Sequence, residues 1–338
     1  MVGRSRTLIK LVLIGSVAVL CAAGCTSQRT GGGGSDASSG PIKIGLVTKT
    51  DTNPYFVTLR EAAKAAAQQQ GAELVALAGK FDGDNEGQVS AIENLVQQGV
   101  KGILITPSNS GGIINALKQA KDRGITVIAL DTETDPKDAV DATWATDNTS
   151  AGEKQGAYVK AALNGAEPKL LMVNGTPGAA VDTQRHTGFL KGIGLAEGAP
   201  QIVGAGDANG DQNIAQQVTE NLLQRSTDVN AAYTMNEPIG RGVYAALAAK
   251  NLTGKVVIGS IDGGCQGVAD VKAGKYAATV MQFPKKMAAE GVAAVVNFAK
   301  TGTKASGFHD TGSELITDKP VAGLPSKDTT YGAQNCWG

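Results

Sequence analysis

The residues of this chain that could do chemistry are hydrogen-bonding groups that lie at or just after the ends of apolar, strand-like runs. The seven positions are, in chain order, Asn53, Asp131, Asp147, Arg185, Asn236, Asp262 and Gln282. One carboxylate after a strand is usually a helix N-cap, but seven equivalent positions are hard to explain by capping alone. Asp, Asn, Gln and Arg without a nucleophile or a general base can form a hydrogen-bonding cage. Such a cage suits a polyhydroxylated, uncharged molecule.

The stretch from Lys49 to Phe56 adds aromatic surface to this set. Asn53 suits a helix N-cap and Pro54 suits the first turn of the helix that follows. Tyr55 and Phe56 are adjacent in a chain that contains only 4% aromatic residues. The two rings are either anchors of the core or a platform for the apolar face of a ligand. Lys49 either reaches the site or is a solvated strand end.

No enzyme motif survives inspection of the chain. There is no G-x-G-x-x-G after a predicted strand, no phosphate-binding G-x-x-x-x-G-K-[ST] and no G-x-S-x-G. His186 and His309 are the only histidines, too few for the His-rich metal sites, and His186 is interpreted as a helix-surface or supporting residue. The sequence therefore predicts a binding protein with no catalytic residue, no metal and no cofactor.

Strand-like and helical segments alternate regularly and must position these residues. The first series has strands at 42–47, 73–78, 102–106, 126–130 and 142–146, with helices at 57–70, 87–98, 111–123 and 151–163. The second has strands at 169–173, 201–205, 231–234, 256–261 and 277–281, with helices at 182–195, 213–225, 240–250 and 266–273. Strands separated by helices indicate right-handed crossovers and parallel sheets. Two series predict an α/β protein with two doubly wound lobes, whose strand ends would face one cleft.

The N-terminal segment is typical of an exported lipoprotein. Arg4, Arg6 and Lys10 accompany an apolar run at 8–20, which is shorter than the roughly 20 residues of a spanning helix. Ala22-Ala23-Gly24 before Cys25 resembles a bacterial lipobox, so residues 1–24 are predicted to be a signal peptide and Cys25 the lipidation site. An ordinary signal peptide with an incidental cysteine is the alternative. Residues 25–40, rich in Gly, Ser and Thr, are predicted to be a flexible tether.

Charge and cysteine content narrow the possible functions. Without residues 1–24, the chain carries 28 basic against 31 acidic residues. This near-neutral balance gives no sign of the clustered basic faces that nucleic-acid-binding proteins have, so it argues against nucleic acid as a partner. About 300 residues exceed one ordinary domain and indicate two. Cys265 and Cys336 remain after Cys21 and Cys25 are set aside, and in an exported protein such a pair indicates a disulfide, with two free thiols as the alternative.

The polar motifs, taken together, resemble a known family. The chain from Ile42 to about Thr317 is similar to the periplasmic sugar-binding proteins of ABC importers, in the ribose-binding type. The matching segments are Asn53-Pro54-Tyr55-Phe56-Val57, Leu130-Asp131, Thr146-Asp147-Asn148, Gln184-Arg185-His186-Thr187-Gly188-Phe189, Asn236-Glu237, Ile261-Asp262-Gly263 and Gln282-Phe283-Pro284. The resemblance implies a ligand shell of Asn53, Tyr55, Phe56, Asp131, Arg185, Asn236, Asp262 and Gln282. We add Lys49 and Thr132 as candidate ligand-binding residues.

Departures from the ribose-binding pattern bear on the ligand. Thr132 stands where ribose binders typically have Arg, and residues 208–213 lack the aromatic residue that the family often has there. Residues 49–53, 263–265 and 336–338 instead resemble the fructose-binding branch. We therefore expect an uncharged ketohexose or related polyol: fructose first, then five- or six-carbon alditols, then ribose.

The resemblance also implies a type I periplasmic binding protein fold with a three-segment hinge. The expected N-terminal lobe is 41–147 plus 283–311, and the C-terminal lobe is 148–282 plus 312–338. The expected hinge residues are Asp147, Asn148, Gln282 and Thr311. Such a chain would act as a monomer, anchored by its lipid to the outer face of the cell membrane, and would deliver its ligand to an ABC permease.

Three rival functions were compared with this expectation. A sugar-responsive repressor would need a DNA-binding headpiece, and residues 1–40 have the pattern of a signal peptide and a tether instead. An exported carbohydrate-active enzyme would need two carboxylates that flank a bond, a role that Asp131 and Asp262 could be imagined to fill. A sensor subunit that presents sugar to a membrane receptor has no distinguishing sequence feature.

Overall fold

The computed structural model describes residues 40–338. The strands are β1 (Ile42–Thr48), β2 (Ala72–Ala78), β3 (Gly102–Ile105), β4 (Thr126–Leu130), β5 (Ala142–Ala145), β6 (Leu170–Asn174), β7 (Ile202–Asp207), β8 (Ala231–Thr234), β9 (Val257–Asp262), β10 (Ala278–Met281), β11 (Gly307–Asp310) and β12 (Glu314–Ile316). The α-helices are α1 (Pro54–Gln69), α2 (Asn85–Gln97), α3 (Ile114–Asp122), α4 (Asn148–Ala162), α5 (Ala180–Ile193), α6 (Gln212–Arg225), α7 (Glu237–Ala249), α8 (Cys265–Lys272), α9 (Pro284–Thr301) and α10 (Thr329–Asn335). The signal peptide and the lipidated Cys25 expected from the sequence lie outside the described residues.

The strands form two six-stranded sheets, which confirms the predicted two-lobed α/β fold. The first sheet has the order β11-β5-β4-β3-β1-β2 and the second has the order β12-β10-β9-β8-β6-β7. Their central strands consist of buried apolar residues, as expected for parallel strands covered by helices on both faces.

Three edge features were not predicted correctly. The sequence indicated parallel strands throughout, but β12 pairs with β10 in the antiparallel direction. Strand β11 and helix α10 were not predicted at all. All four residues of β11 are exposed, so it has no apolar periodicity, and its pairing with β5 depends on a distant segment. There the His309 ring stacks on Trp144, with 4.2 Å between the ring centroids.

Helices α4 and α5 approach each other closely enough to require glycine. A Cβ on Gly152 would collide with the carbonyl oxygen of Arg185, and a Cβ on Gly188 would collide with the carbonyl oxygen of Thr149. Because Arg185 lies on α5, this contact fixes how far the Arg185 backbone stands from α4. The two glycines therefore help to position a predicted site residue.

The chain passes between the two sheets at three places, after β5, after β10 and after β11. The crossings contact one another: the Asp147 amide donates to Asp310 Oδ1 at 3.1 Å, and the Thr146 hydroxyl donates to the carbonyl oxygen of Gly312 at 3.4 Å. Gln282 and Thr311 lie on the other two crossings and are buried. Asn148 is the first residue of α4.

The C-terminal tail is fixed to the second sheet by a disulfide. Cys265 and Cys336 are bonded in the structure, with 4.9 Å between their Cα atoms. Beyond the disulfide, the Cys265 amide donates to the carbonyl oxygen of Trp337 at 2.9 Å. Trp337 is buried, and it packs with the core residues of the first lobe. The tail thus contacts both lobes.

Loss of this disulfide should destabilise the fold. The bond spans a sequence separation of 71 residues, for which the chain-entropy model gives about 4 kcal/mol, often less in practice. The double variant Cys265→Ser/Cys336→Ser should unfold at a lower urea concentration than the wild type, by up to that amount.

The control is reductant, which should destabilise the wild type and leave the double variant unchanged. Two reactive thiols in denatured, unreduced protein that lacks Cys25 would show that the bond does not form.

Candidate functional site

Two carboxylates in the centre of the molecule have strained backbones and are not the N-caps of the helices that follow them. Asp131 follows β4 with a φ of 66°, and Asp262 ends β9 with a φ of 153°. Both are almost completely buried. A non-glycine residue at positive φ costs of order 1–3 kcal/mol, and such strain concentrates at functional sites. Asp262 does contact the start of another helix, since the first amide of α7, that of Glu237, lies 3.4 Å from its Oδ2.

Asn53 and Asn236, one in each lobe, do cap helices. The Oδ1 of Asn53 accepts from the Tyr55 amide, and that of Asn236 accepts from the Ile239 amide, both at 3.0 Å. Capping uses the oxygen of each side chain and leaves the amide hydrogens available as donors. Asp147 likewise caps α4, accepting from the Ser150 amide at 2.9 Å.

Arg185 is held rigidly between the two lobes' carboxylates. Its Nε donates to Asn148 Oδ1 at 2.9 Å, and its Nη1 donates to the Met235 carbonyl oxygen at 3.0 Å. The Nη1 atom also lies 3.8 Å from Asp262 Oδ1. Asn148 in turn donates to the carbonyl oxygen of Asp131 at 3.3 Å. Asn148, expected to be a hinge residue, thus also orients the guanidinium.

Gln282 supports Asp262 instead of lining the site. Its Nε2 donates to Asp262 Oδ1 at 2.9 Å, and the Glu237 amide approaches the other carboxylate oxygen at 3.4 Å. Burial raises the pKa of Asp262, Arg185 lowers it, and Asp131 raises it further. Thr132 has a similar supporting position: its fully buried hydroxyl donates to Asp131 Oδ2 at 2.8 Å.

The aromatic residues pack together, and they include Trp337, which was not predicted from the sequence. The Tyr55 ring meets Phe56 and Trp337 edge-on, at centroid distances of 5.4 and 5.2 Å. The Trp337 indole N–H lies 3.2 Å from the carbonyl oxygens of both Asp262 and Gln282. Burial and the nearby Asp131 raise the pKa of Tyr55, so its hydroxyl, 3.2 Å from the Met287 sulfur, stays protonated. Only long-range packing places Trp337 here, and no local sequence pattern indicated it.

Lys49 is buried, which rules out the solvated strand end, one of the two possibilities left by the sequence. Its side chain is only 2% exposed, yet its ammonium group donates no hydrogen bond to any residue of the described chain. The nearest aromatic ring is that of Phe56, 6.0 Å away. Lys49 is therefore a buried strand-end residue, not a solvated one.

These side chains line a small chamber between the lobes, with about 20 Å³ of free space. Its lining residues are Lys49, Asn53, Tyr55, Phe56, Asp82, Asp131, Val181, Arg185, Met235, Asn236 and Asp262. The chamber thus brings together seven of the predicted shell residues and Lys49. Asp82, Val181 and Met235 were not predicted. Asp82 follows the end of β2, so the strand-end pattern could have indicated it.

Two other features of the described residues bear on function. Within 40–338, no three His, Cys, Asp or Glu residues are grouped as they would be in a metal site. Among the helices of that same range, none has both the length and the apolar character needed to cross a membrane.

Glu237, directly behind the chamber, should make stability depend on pH. Burial and the neighbouring Asp262 raise its pKa to about 8. Because the folded protein binds this proton more tightly than the unfolded chain, the stabilisation is complete below pH 4.5 and is lost as pH rises towards 8. Glu237→Gln should flatten the fall in the free energy of unfolding between pH 5 and 8, measured by urea titration.

Glu86→Gln, on the exposed first turn of α2, is the control and should leave the pH profile unchanged. A Glu237→Gln profile that falls as steeply as that of the wild type would contradict this role for Glu237.

Comparisons with known proteins agree with the geometry. Residues 44–304 match the family described as periplasmic binding protein domain. The chain is 32% identical to the ribose import binding protein of Bacillus subtilis over 243 residues, which cover 72% of this chain and 76% of that protein. It is 28% identical to the D-allose-binding periplasmic protein of Escherichia coli over 283 residues, 80% of this chain and 91% of that protein.

Solved structures show the same similarity. An ABC transporter solute-binding protein from Agrobacterium vitis with bound D-fucose superposes with a TM-score of 0.78 at 26% identity, covering 88% of this chain and 100% of that one. A protein of the same description from Actinobacillus succinogenes, with bound D-allose, gives a TM-score of 0.74 at 26% identity, covering 82% and 97%. These relatives are solute-binding proteins, and this chain is likewise not an enzyme. The chain belongs to the periplasmic binding protein family, as a sugar-binding protein of the ribose- and allose-binding type that serves an ABC importer.

Proposed function

We propose that this protein captures one uncharged sugar or polyol in the chamber between its lobes and delivers it to an ABC permease. The observation that carries the proposal is the pair of buried, strained carboxylates, Asp131 and Asp262, one from each lobe. Neither is the N-cap of the helix that follows it, and both line the same chamber as the Arg185 guanidinium. Carboxylates that accept hydroxyl protons make charge-assisted hydrogen bonds, which are about twice as strong as neutral ones.

The ligand shell in this proposal has two kinds of member. The residues that would touch the ligand are Lys49, Asn53, Tyr55, Phe56, Asp131, Arg185, Asn236 and Asp262. Thr132 and Gln282 would act on the ligand through the carboxylates that they hydrogen-bond. The Tyr55 and Phe56 rings would cover the C–H face of a sugar ring or an extended polyol.

The charges of the chamber favour an uncharged ligand. Its lining contains three carboxylates, those of Asp82, Asp131 and Asp262, and two cations, Lys49 and Arg185. A phosphate or an acid would add negative charge to a buried site in which carboxylates already outnumber cations. Burial of unpaired charge is costly. We therefore exclude sugar phosphates and sugar acids from the proposed ligands.

Among uncharged ligands we place fructose first, five- or six-carbon alditols second and ribose third. The ranking is supported by the likeness of residues 49–53, 263–265 and 336–338 to the fructose-binding branch. It is also supported by Thr132, which stands in place of the arginine typical of ribose binders. The named relatives above bind ribose, D-allose or D-fucose, all of them uncharged sugars.

We also propose the lobe boundaries and the hinge that the sequence suggested. The N-terminal lobe would be 41–147 plus 283–311, and the C-terminal lobe 148–282 plus 312–338. The hinge would include Asp147, Asn148, Gln282 and Thr311. Support comes from the three chain crossings, which lie at 146–147, 282–283 and 311–313. A ligand that touches both lobes binds the closed form better and shifts the population towards it.

Closure should be visible by small-angle X-ray scattering. Saturating fructose is expected to reduce the radius of gyration of the ligand-free protein, because the lobes rotate together around the ligand. Fructose 6-phosphate at the same concentration is the matched control and should leave the radius unchanged. A constant radius with a sugar that calorimetry shows to be bound would remove the hinge from the proposal.

The cellular part of the proposal is a monomer held at the outer face of the cell membrane by a lipid on Cys25. The support is the Ala22-Ala23-Gly24-Cys25 motif after a basic and apolar segment, followed by the Gly- and Ser-rich stretch to residue 40. The alternative partner, a membrane receptor to which the protein would present sugar as a sensor, would use the same lobe surfaces. Measuring sugar uptake by cells that lack the permease would not distinguish the transport role from the sensor role. A direct assay of binding to the permease does.

The ligand assignment can be tested by titration calorimetry with fructose, xylitol, ribose and fructose 6-phosphate. We expect fructose to bind most tightly and the phosphate to bind most weakly. Tighter binding of the phosphate than of every uncharged sugar would overturn the charge argument. Tightest binding of ribose would overturn only the ranking.

The site assignment can be tested by substitution at Asp262 and Arg185. Asp262→Ala removes charge-assisted bonds worth about 1.5–3 kcal/mol each, so fructose should bind at least tenfold more weakly. Arg185→Lys should also weaken binding, because an ammonium cannot reproduce the guanidinium fork to Asn148 and Met235. Asp228→Ala, at an exposed carboxylate far along the chain, is the control. Normal binding by Asp262→Ala would remove this residue from the site.

A further inference from the structure

Asp82 is a buried carboxylate that has no evident structural function. It lies in the loop between β2 and α2, and its side chain is more than nine-tenths buried. Its Oδ1 atom has no hydrogen-bond partner in the described part of the chain. Asp84, two residues later, shows the contrast: its oxygens accept from the amides of Lys80 and Gly87 and so cap α2. Asp82 caps nothing and lines the chamber.

The surroundings of Asp82 come from both lobes. Lys49 and Asp131 are the charged side chains that act on it, and Lys49 favours its ionised form. Thr176 of the second lobe lies beside it, and a Cβ on Gly210 would stand 3.0 Å from Asp82 Oδ2. Burial raises the pKa of Asp82, while Lys49 and the Thr176 hydroxyl lower it. The unpartnered Asp82 Oδ1 and the Lys49 side chain therefore line the same chamber.

Asp82 and Asp262 border different neighbouring cavities. At Asp82 the chamber meets a wider opening lined by residues such as Thr50, Phe81 and Asn209. At Asp262 it adjoins a different cavity, lined by Cys265, Trp337 and their neighbours. The chamber thus has a carboxylate on each of two sides.

We propose that Asp82 and Lys49 form a second hydroxyl-binding end of the site and make Asp82 a specificity-determining residue. One ligand hydroxyl would donate to Asp82 Oδ1 and accept from the Lys49 ammonium. The other end of the same molecule would be held by Asp262 and Arg185. The site would then select sugars and polyols that carry hydroxyls at both ends of the carbon chain. This inference rests on the proposed function, since it assigns a further contact within the same chamber.

The test is calorimetry of Asp82→Asn with fructose, xylitol, ribose and 6-deoxyfructose. For each of fructose, xylitol and ribose that the wild type binds, Asp82→Asn should bind at least tenfold more weakly, because the substitution removes the charged acceptor. Thr176→Val removes the hydroxyl beside Asp82 but keeps the carboxylate, and it should change affinity less than threefold. Asp51→Asn, an exposed carboxylate in the nearby loop, is the matched control and should bind as the wild type does.

The outcomes separate the inference from the proposed function. Unchanged affinity of Asp82→Asn for a sugar that the wild type binds would overturn the role of Asp82 alone. An equal loss in Thr176→Val would also overturn it, because the carboxylate would then act only through contact between the lobes. If the wild type bound none of the four sugars, the proposed function and this inference would fail together. The ligand-free melting temperature of Asp82→Asn should be no lower than that of the wild type, which excludes misfolding as the cause of a loss.

Discussion

The constraint on which this structure depends is the cost of holding carboxylates away from water. Asp131 and Asp262 are buried at the ends of strands, where a charge survives only with donors around it. The protein supplies some donors itself, through Thr132, Gln282 and Arg185. Arg185 must in turn be fixed, and Asn148 and the close contact of α4 with α5 do so. The hydrogen-bonding positions that remain on Asp131 and Asp262 face the chamber. The carboxylates that need donors can therefore recognise the hydroxyls of a ligand.

The two lobes solve the positioning problem with the same local device. Each has an Asn that caps a helix with its oxygen and leaves its amide hydrogens to the chamber, Asn53 in one lobe and Asn236 in the other. Each also has an Asp at a strand end with positive φ. The strained backbone turns the carboxylate into the space between the lobes instead of onto the next helix. The two lobes therefore contribute the same kinds of group, although the two asparagines follow strands at different positions in their sheets.

The sequence predicted what depends on short-range pattern and missed what depends on distant contacts. The alternation of strands and helices, the Asn53 cap and the pairing of Cys265 with Cys336 all agree with the structure. A strand end predicts where a side chain starts but not where it points: Gln282 and Thr132 hydrogen-bond Asp262 and Asp131, and neither lines the chamber. Asp82 was not predicted because it lies four positions past the end of β2, and Trp337 because only tertiary packing brings the tail against Tyr55.

The position of Trp337 gives the protein a built-in optical reporter. The chain has two tryptophans. Trp144 lies within the first sheet and stacks on His309, so its surroundings belong to a single lobe. Trp337 is attached to the second lobe through the disulfide and its indole N–H, and it packs on Tyr55 of the first. Any separation of the lobes would hydrate this indole and shift its emission to longer wavelengths, while Trp144 would serve as an internal reference.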